Sequence, residues 1–236
     1  MNYPYINIHT HARTGEGVEV VNYDFRVGGV WPGAPFSIGV HPWAVGGNDH
    51  GGGNGHGGFS YGVAESDGGW LASALRDVET APASAIGEIG LDFAPAVRGD
   101  HGEQKMVFAA QLRIAEERGL PVILHCVRAF EPVMEILSGF RLRAVIFHGF
   151  IGSAEQAGRA TRTGYYLSFD ARSLASPKTV DAMRATPLDK LFLETDDAEI
   201  SIAEIYARAA GILAVGESDL AQQLNTNYSR IMIFNF

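Results

Sequence analysis

Short apolar runs alternate with helix-like segments over most of this chain. Strand-like runs are expected near residues 85–90, 121–125, 143–148, 164–169 and 190–194. Segments with helical character lie near residues 69–79, 102–118, 128–138, 153–162, 176–185, 199–210 and 217–234. Beyond about residue 84 this alternation indicates βα units and a parallel sheet.

The best-defined helix covers about residues 102–118. Phe108, Leu112 and Ala115 follow the i, i+4, i+7 spacing of one helix face. Gly119 offers a left-handed cap, and Pro121 prevents further helix before the next apolar run. The sequence therefore marks both ends of this unit.

The first third of the chain is less regular. The run before His9 and the next clear strand, 36–41, are separated by about 25 residues, which barely accommodate a helix and a strand. Seven strands are clear, and 18–23 is a candidate eighth. We therefore expect an α/β fold of the TIM-type (β/α) barrel class in one domain over residues 1–236, with an incomplete or distorted barrel near 12–70 as the open alternative.

A glycine-rich stretch occupies residues 46–58 and contains His50 and His56. Its own contacts cannot offset the entropy of a fixed structure, so we expect a flexible loop. The two histidines are interpreted as solvated loop residues, because flexible glycine flanks do not preorganise metal ligands.

Composition and charge narrow the function classes. The chain has 46% hydrophobic and 19% charged residues and no apolar run of about 20 residues, which argues against disorder and against a membrane span. A formal net charge of −9 disfavours broad electrostatic adhesion to DNA or anionic membranes. A lone cysteine, Cys126, and the lack of a leader-like start favour the cytoplasm. No obligate protein partner is expected.

Five of the apolar runs lead into residue types that bind metals. Residues at the carboxyl ends of parallel strands converge on one cavity, so ligands far apart in sequence become neighbours in space. The candidate metal ligands are His9, His11, Glu88, His125, His148 and Asp196.

The spacing and surroundings of these residues support a metal centre. His9 and His11 lie at i and i+2 on a strand, so they face the same side and can share one ion. Glu88 lies in an apolar strand, where burial of an unpaired carboxylate costs several kcal/mol unless a cation or an arginine is near. His125 and His148 each fit a core histidine when taken alone, but together with Glu88 they indicate a second metal site.

Asp196 is the predicted catalytic carboxylate. It follows a strand, 191–195, and lies nearer the cavity mouth than Glu194, which shares its face. A cation lowers the pKa of a bound water, and a nearby carboxylate can then take the proton. Glu194 is interpreted either as a support for the ligands or as a structural residue.

Other catalytic motifs are missing from the sequence. Cys126 adjoins His125 and is interpreted as a buried structural thiol. The chain contains neither a Gly-x-x-x-x-Gly-Lys phosphate loop nor a Gly-x-Ser-x-Gly elbow, which weakens the nucleotide-hydrolase and serine-esterase alternatives.

The chain resembles the TatD family of metal-dependent hydrolases, whose members include deoxyribonucleases. The motifs that carry the resemblance follow the family order over most of the chain. They are Asn7-Ile-His-Thr-His11, Gly39-Val-His-Pro42, Ala85-Ile-Gly-Glu-Ile-Gly-Leu-Asp-Phe93, Gly119-Leu-Pro-Val-Ile-Leu-His-Cys126, Phe147-His-Gly-Phe-Ile-Gly152, Leu193-Glu-Thr-Asp196 and Asn225-Thr-Asn227.

This resemblance implies a barrel with one or two divalent ions. His9, His11, Glu88 and Asp196 would surround one ion, and Glu88, His125 and His148 the other. Glu88 would bridge the two ions and form the catalytic pair with Asp196. By the same analogy His41 would bind substrate near the scissile phosphate. Its alternative role is a turn histidine before Pro42.

Four segments depart from the family pattern. Asn7 stands where an aspartate is usual, and Arg128 comes two residues after Cys126 where the family places an arginine directly after it. The third is the shortened region after His11 together with the glycine-rich loop. The segment 93–95 lacks the tyrosine and arginine common after the Leu-Asp pair.

These observations favour a phosphodiesterase of the nuclease type that acts on short or single-stranded DNA ends, in keeping with the acidic charge and a pocket-like site. The alternative is hydrolysis of a small ester, amide or phosphate ester, and a third interpretation is a metal-binding scaffold without turnover. Arg98, Lys105 and Arg128 would favour DNA if they line the cavity and a small molecule if they face solvent. Mixed histidine and carboxylate ligands suit Zn, Mn or Fe, and Mg less well, so the identity of the metal stays open.

Overall fold

The structure is a computed structural model that describes residues 3–23, 25, 29–45, 69–97 and 99–232. The expected loop at 46–58, with His50 and His56, lies outside the described residues, as does Arg98.

Eight parallel strands form the barrel, in the same order in space as in sequence. They are β1 Ile6–Thr10, β2 Val18–Tyr23, β3 Phe36–Ile38, β4 Ala85–Asp92, β5 Val122–Val127, β6 Val145–Phe147, β7 Tyr166–Phe169 and β8 Leu191–Leu193. A single parallel bridge between Thr10 and Asp196 joins the end of the last strand to the first. There the Asp196 N–H donates to the His9 carbonyl and the His11 N–H to the Asp196 carbonyl, both at 3.2 Å.

The expected barrel class is confirmed, and the candidate strand at 18–23 is its second strand. The irregularity expected near 12–70 affects the helices. Among the described residues, no α-helix separates β1 from β2 or β2 from β3, whereas helices follow each later strand up to β8. The barrel therefore has its full set of strands but a thinner outer layer at this side.

Helices cover the rest of the barrel. They are α1 Gly69–Thr80, α2 His101–Arg118, α3 Phe130–Leu137, α4 Ala154–Arg162, α5 Ala171–Ala175, α6 Pro177–Ala185, α7 Ile202–Leu213 and α8 Glu217–Ile231. The expected helix at 102–118 is confirmed as α2. Asp100 caps its first turn, and Gly119 ends it with a φ of 64°. The short helix α5 was not expected.

Helix α2 anchors two strand ends beneath the cavity. Buried Gln111 accepts the Val40 N–H at 2.7 Å and donates to the Val40 carbonyl at 3.1 Å. Buried Gln104 accepts the Asp92 N–H at 3.0 Å. These bonds fix the backbone next to His41 and at the end of β4, since buried backbone groups need partners.

Most strand residues are buried on both faces, as expected for a parallel sheet covered by helices. The apolar core runs through the barrel and under α7 and α8. Within the part of the chain that is described, no helix has the length and apolar character needed to cross a bilayer.

Candidate metal centre

The six candidate ligands come together at one end of the barrel, as expected for residues at the carboxyl ends of parallel strands. They face a cavity of about 570 Å³ or lie directly beneath it. Five of the six are buried, and the His11 side chain is 29% exposed. Three groups of residues each bring three potential ligand atoms within 4.8 Å of one another. The groups are His9, His11 and Asp196; His9, Glu88 and His148; and His41, Glu88 and His125.

Glu88 lies between the two halves of the centre. Its Oε2 is 3.4 Å from His9 Nε2 and 3.8 Å from His11 Nε2. Its Oε1 is 2.7 Å from both His125 Nδ1 and His148 Nε2. The two oxygens of one carboxylate thus face different pairs of histidines, which is the arrangement a bridging ligand needs.

Glycine permits the close approach of β4 and β5 that brings Glu88 to His125. Gly90 has a φ of 144°, and a Cβ atom there would lie 2.0 Å from the His125 carbonyl oxygen. Any side chain at this position would push the two strands apart.

Asp92 sets the orientation of the His125 ring. Its Oδ2 lies 3.0 Å from His125 Nε2 and accepts the Trp43 Nε1–H at 2.8 Å, while its Oδ1 accepts the Ala94 N–H at 2.9 Å. Because a carboxylate offers only acceptors, His125 Nε2 carries its proton toward Asp92. Nδ1 is then the nitrogen that faces Glu88, as in a carboxylate–histidine–metal arrangement.

Glu194 does the same for His148. Its Oε1 is buried, accepts the Gly149 N–H at 2.7 Å and lies 3.1 Å from His148 Nδ1. His148 Nε2 therefore faces Glu88. Sequence reasoning left the role of Glu194 open and missed Asp92, although Asp92 stands in the Gly-Leu-Asp segment that follows Glu88.

The carboxylates of the centre raise the pKa values of three of its buried histidines. Burial disfavours their charged forms, but Asp196 and Glu88 raise the pKa of His9 to about 9. The carboxylates around His125 and His148 also raise the pKa of each, that of His148 well above its usual value. Protons thus occupy positions that a divalent ion would take, since metal binding requires neutral imidazoles.

His41 behaves differently from these three histidines. Its Nδ1 accepts the Trp43 backbone N–H at 3.1 Å, and its Nε2 lies 3.1 Å from Glu88 Oε1. Burial lowers the pKa of His41 to about 4 despite the nearby Glu88 carboxylate. In this neutral form Nε2 carries the proton and is a donor. His41 is therefore suited to donate a hydrogen bond into the cavity, and poorly suited to ligate a cation through Nε2.

Asp196 has a different partner on each oxygen. Oδ1 lies 3.5 Å from His9 Nε2 and 3.3 Å from His11 Nε2. Oδ2 accepts a hydrogen bond from Arg172 Nη2. Burial opposes ionisation, but the neighbouring imidazole rings of His11 and His9 hold the pKa of Asp196 far below its usual range. The carboxylate is therefore ionised, as a metal ligand must be.

Arg172 was not anticipated from the sequence. Asp170 follows β7 and caps α5 by accepting the Ser173 N–H at 2.7 Å, and its other oxygen accepts Arg172 Nε–H at 2.7 Å. The Arg172 side chain is 57% exposed and lines the cavity. An aspartate directly after the strand Tyr166–Phe169 was the signal for this short cap.

The residues present fit a divalent ion. His9 Nε2 is fully buried and has no hydrogen-bond partner among the described residues, which is costly for a polar atom unless a ligand completes it. The carboxylates of Glu88 and Asp196 and the rings of His11 and His148 lie around it. The set offers nitrogen and oxygen donors only, which suits first-row divalent metals without selecting one.

Two of the three basic residues considered from the sequence, Lys105 and Arg128, do not line this cavity. Lys105 is exposed on α2 over the ring of Phe93. Arg128 is exposed and lines a neighbouring pocket with Lys178. Arg98 lies outside the described residues.

One side of the main cavity is lined by aromatic residues, namely Tyr23, Phe25, Trp43 and Trp70.

Asn7 and Cys126 are the remaining residues near the centre that the sequence singled out. Asn7 bonds Thr195 through both ends of its amide, accepting the Thr195 N–H at 3.1 Å and donating to its Oγ1 at 2.9 Å. It thereby positions the residue before Asp196. Cys126 is partly buried, and burial raises the pKa of its thiol to about 12, which keeps it protonated and unreactive.

A parallel barrel with histidines and carboxylates converging at the carboxyl ends of its strands is the architecture typical of metal-dependent hydrolases. The family model of TatD-related DNases matches residues 31–232. The chain therefore belongs to this family.

Known relatives agree with this assignment. The chain is 33% identical over 115 residues to human deoxyribonuclease TATDN3, a match that covers 48% of this chain and 42% of the human protein. It is 34% identical over 134 residues to the 3′-5′ ssDNA/RNA exonuclease TatD of Dickeya dadantii, covering 53% and 49% of the two chains. The chain thus spans less than half the length of these curated relatives. The crystal structure of YJJV, a TatD homologue from Escherichia coli, has the same fold with a TM-score of 0.73 and 22% identity, covering 98% of this chain and 99% of that one.

Proposed function

We propose that this protein is a divalent-metal-dependent phosphodiesterase that hydrolyses DNA at strand ends. His9, His11, Glu88 and Asp196 would hold one ion, and Glu88, His125 and His148 a second. The observation that carries the proposal is the placement of Glu88, whose two oxygens each face a separate pair of histidines. The nuclease names of the human and Dickeya relatives support the choice of DNA.

Two ions suit this reaction because, when bound, they acidify the attacking water and stabilise negative charge on the phosphate oxygens. The protein's own groups would do the rest. Asp196 is ionised and faces the His9 and His11 side of the cavity, where it can accept the proton of the attacking water. His41 can donate its Nε2–H to a phosphate oxygen.

Arg172 would add a fixed positive charge beside the phosphate. Arg172 Nε–H donates to Asp170, which fixes the orientation of the guanidinium group. The group still lines the cavity and can contact a ligand there. Planar guanidinium groups match the oxygens of a phosphate well. The positive charge thus lies at the cavity, where a phosphate would bind, although the chain as a whole has a formal net charge of −9.

A second candidate is hydrolysis of a small ester, amide or phosphate ester. The lining of the main cavity favours it, because neither Lys105 nor Arg128 belongs to that lining and, among the described residues, Arg172 is the one lysine or arginine that does. Both candidates use the same metal centre and differ only in the substrate.

The test is cleavage of an end-labelled single-stranded oligonucleotide by metal-stripped protein resupplied with magnesium, manganese or zinc. Metal-dependent shortening should be lost in Asp196→Asn, which keeps the shape of the side chain but not its charge. Asp181→Asn, an exposed aspartate on α6, is the matched control and should behave as wild type. Intact oligonucleotide with every metal, from folded and metal-loaded protein, would exclude the nuclease and leave 4-nitrophenyl phosphate and 4-nitrophenyl acetate as the substrates to try.

We also propose that residues 1–236 form one metal-hydrolase barrel domain that works in the cytoplasm. The continuous core beneath all eight strands supports the first statement. The single unpaired cysteine, Cys126, supports the second.

A further inference from the structure

The cavity beside the metal centre has an aromatic wall, which we define as Tyr23, Phe25, Trp43 and Trp70. Two of its rings rest on a small apolar cluster around Val40, against which Phe25 and Trp70 pack. The wall is therefore part of the folded body of the protein. None of its four members is a candidate metal ligand.

Trp43 is the member of the aromatic wall that lies nearest the centre. It follows His41 in a short 3₁₀ turn, Pro42–Ala44, and its ring centroid is 4.7 Å from that of His41 and 6.0 Å from that of His125. Its indole N–H donates to Asp92, the same oxygen that faces His125. The polar edge of the ring is thus satisfied and its orientation is fixed.

Despite this fixed orientation, Trp43 is 53% exposed. A large ring held rigid and left in contact with water is a ready stacking surface, because little side-chain entropy is lost when a flat ligand covers it. The ring lies directly beside His41, whose Nε2–H points into the centre where the phosphate would bind.

We propose that the aromatic wall, with Trp43 at its centre, binds an unpaired nucleobase of the nucleotide whose phosphate occupies the metal centre. This inference rests on the proposed phosphodiesterase function and narrows its substrate. A nucleotide joins an aromatic base to a phosphate. In the cavity the aromatic wall lies beside the metal centre, so the base can contact the wall while the phosphate lies at the centre. Even the last base of a duplex has one face stacked and its edge paired, so a frayed or single-stranded end can place its base here more readily than a paired end.

Stacking on an aromatic side chain tolerates any base, since every base has a π-face. The protein should therefore accept ends of different sequence and reject blunt, fully paired ends. The selection would come from strand state and not from base identity.

Two chromogenic diesters separate base binding from hydrolysis. Thymidine 5′-(4-nitrophenyl phosphate) carries a base, whereas methyl 4-nitrophenyl phosphate does not. Hydrolysis of either diester releases 4-nitrophenolate and leaves a phosphate monoester. The ratio of their kcat/KM values measures the contribution of the base. Trp43→Ala should lower this ratio roughly 5- to 150-fold, the range for loss of one base–aromatic stack.

Two further variants distinguish stacking from a merely structural role. Trp43→Phe keeps a flat ring but loses the bond to Asp92, so its ratio should stay within about threefold of wild type even if both absolute rates fall. Trp31→Ala changes a tryptophan that lines a separate pocket and should leave both rates unchanged. An unchanged ratio in Trp43→Ala would overturn the proposal.

If wild-type protein hydrolyses neither diester, the phosphodiesterase proposal fails, and base binding is then decided by fluorescence. Thymidine 5′-monophosphate should quench tryptophan emission in wild type and in Trp31→Phe, but much less in Trp43→Phe, whereas inorganic phosphate should not quench. Equal quenching by phosphate and nucleotide, or no quenching at all, would overturn the inference.

Discussion

Arg172 donates a hydrogen bond to one oxygen of Asp196, while the other oxygen of the same carboxylate faces His9 and His11. Arg172 lies in the short helix α5 that follows β7, and Asp196 follows the neighbouring strand β8. Asp196 therefore has one oxygen for the metal centre and one that an arginine holds in place.

Arg172→Ala should lower kcat/KM for the diester substrates by roughly 10- to 100-fold, because it removes charge-assisted hydrogen bonds to Asp196 and to the bound phosphate. Arg172→Lys should recover only part of this loss, since an ammonium cannot contact Asp170 and Asp196 in the same planar way. Steady-state kinetics measure both effects. Arg184→Ala, an equally exposed arginine on α6, is the control. Equal rates in Arg172→Ala and wild type would contradict a role for this side chain.

Metal affinity should rise with pH up to about 9. The pKa of His9 is raised to about 9, so below that pH a cation must displace its proton. Each displaced proton makes the affinity change about tenfold per pH unit. Isothermal titration at several pH values, in buffers of different protonation enthalpy, measures both the affinity and the proton release. Affinity independent of pH between 6.5 and 9 would contradict this account.

The metal-free protein should show the opposite trend in stability. The folded pKa of His9 exceeds its unfolded value of about 6.5, so the stabilisation from its protonation is fully present below pH 6.5 and is lost as pH rises through about 9. Urea unfolding at pH 6 and at pH 9.5 tests this. Divalent metal should remove most of the difference, since it takes over the role of the proton.

Asp92→Asn should weaken metal binding by roughly 10- to 100-fold, because the amide has no negative charge and its NH₂ group must face either the Ala94 N–H or the donors of His125 and Trp43. Glu194→Gln should do the same through His148. A competition assay with a chromogenic chelator gives the affinities, with Asp181→Asn as the surface control. If both variants bind metal as tightly as wild type, Asp92 and Glu194 do not orient the ligands.

Metal should raise the thermal unfolding temperature. At a free concentration 100 times the dissociation constant, binding contributes about 2.7 kcal/mol, which for a chain of this size corresponds to roughly 5–10 °C. A chelator should reverse the shift. Glu88→Gln should abolish it, because the bridging carboxylate is lost. A chelator-insensitive unfolding temperature would contradict a metal centre in the isolated protein.

The candidate ligands could be predicted because each one ends or directly follows an apolar run, and strand ends meet in a parallel barrel. The residues that orient them were harder to find. Asp92 and Glu194 act through side-chain directions that depend on the packing of neighbouring strands, and a strand sequence alone does not give those directions. Arg172 depends on the short helix α5, whose five residues carry too little periodicity to be recognised.

The roles of the basic residues could not be predicted for a similar reason. Lys105 and Arg128 follow strands that reach the cavity, yet one lies on the outer face of α2 and the other has a φ of 52° that turns it toward the adjacent pocket. Sequence spacing does not reveal such a turn. The strand near 18–23, in contrast, was visible as an apolar run although the helix expected of a complete βα unit is missing beside it among the described residues.

The bridge between Thr10 and Asp196 joins segments that are 186 positions apart in sequence, and the groups that would bind the first ion, His9, His11 and Asp196, lie directly across it. An ion bound there would link the end of the first strand to the segment that follows the last strand. Closing so long a stretch of chain carries a large entropic cost, and a cation that fixes both ends favours the closed state. We therefore expect the amides of His11 and Asp196 to exchange hydrogen slowly only when metal is bound. Metal binding would then also determine how stably the first and last strands of the barrel are joined.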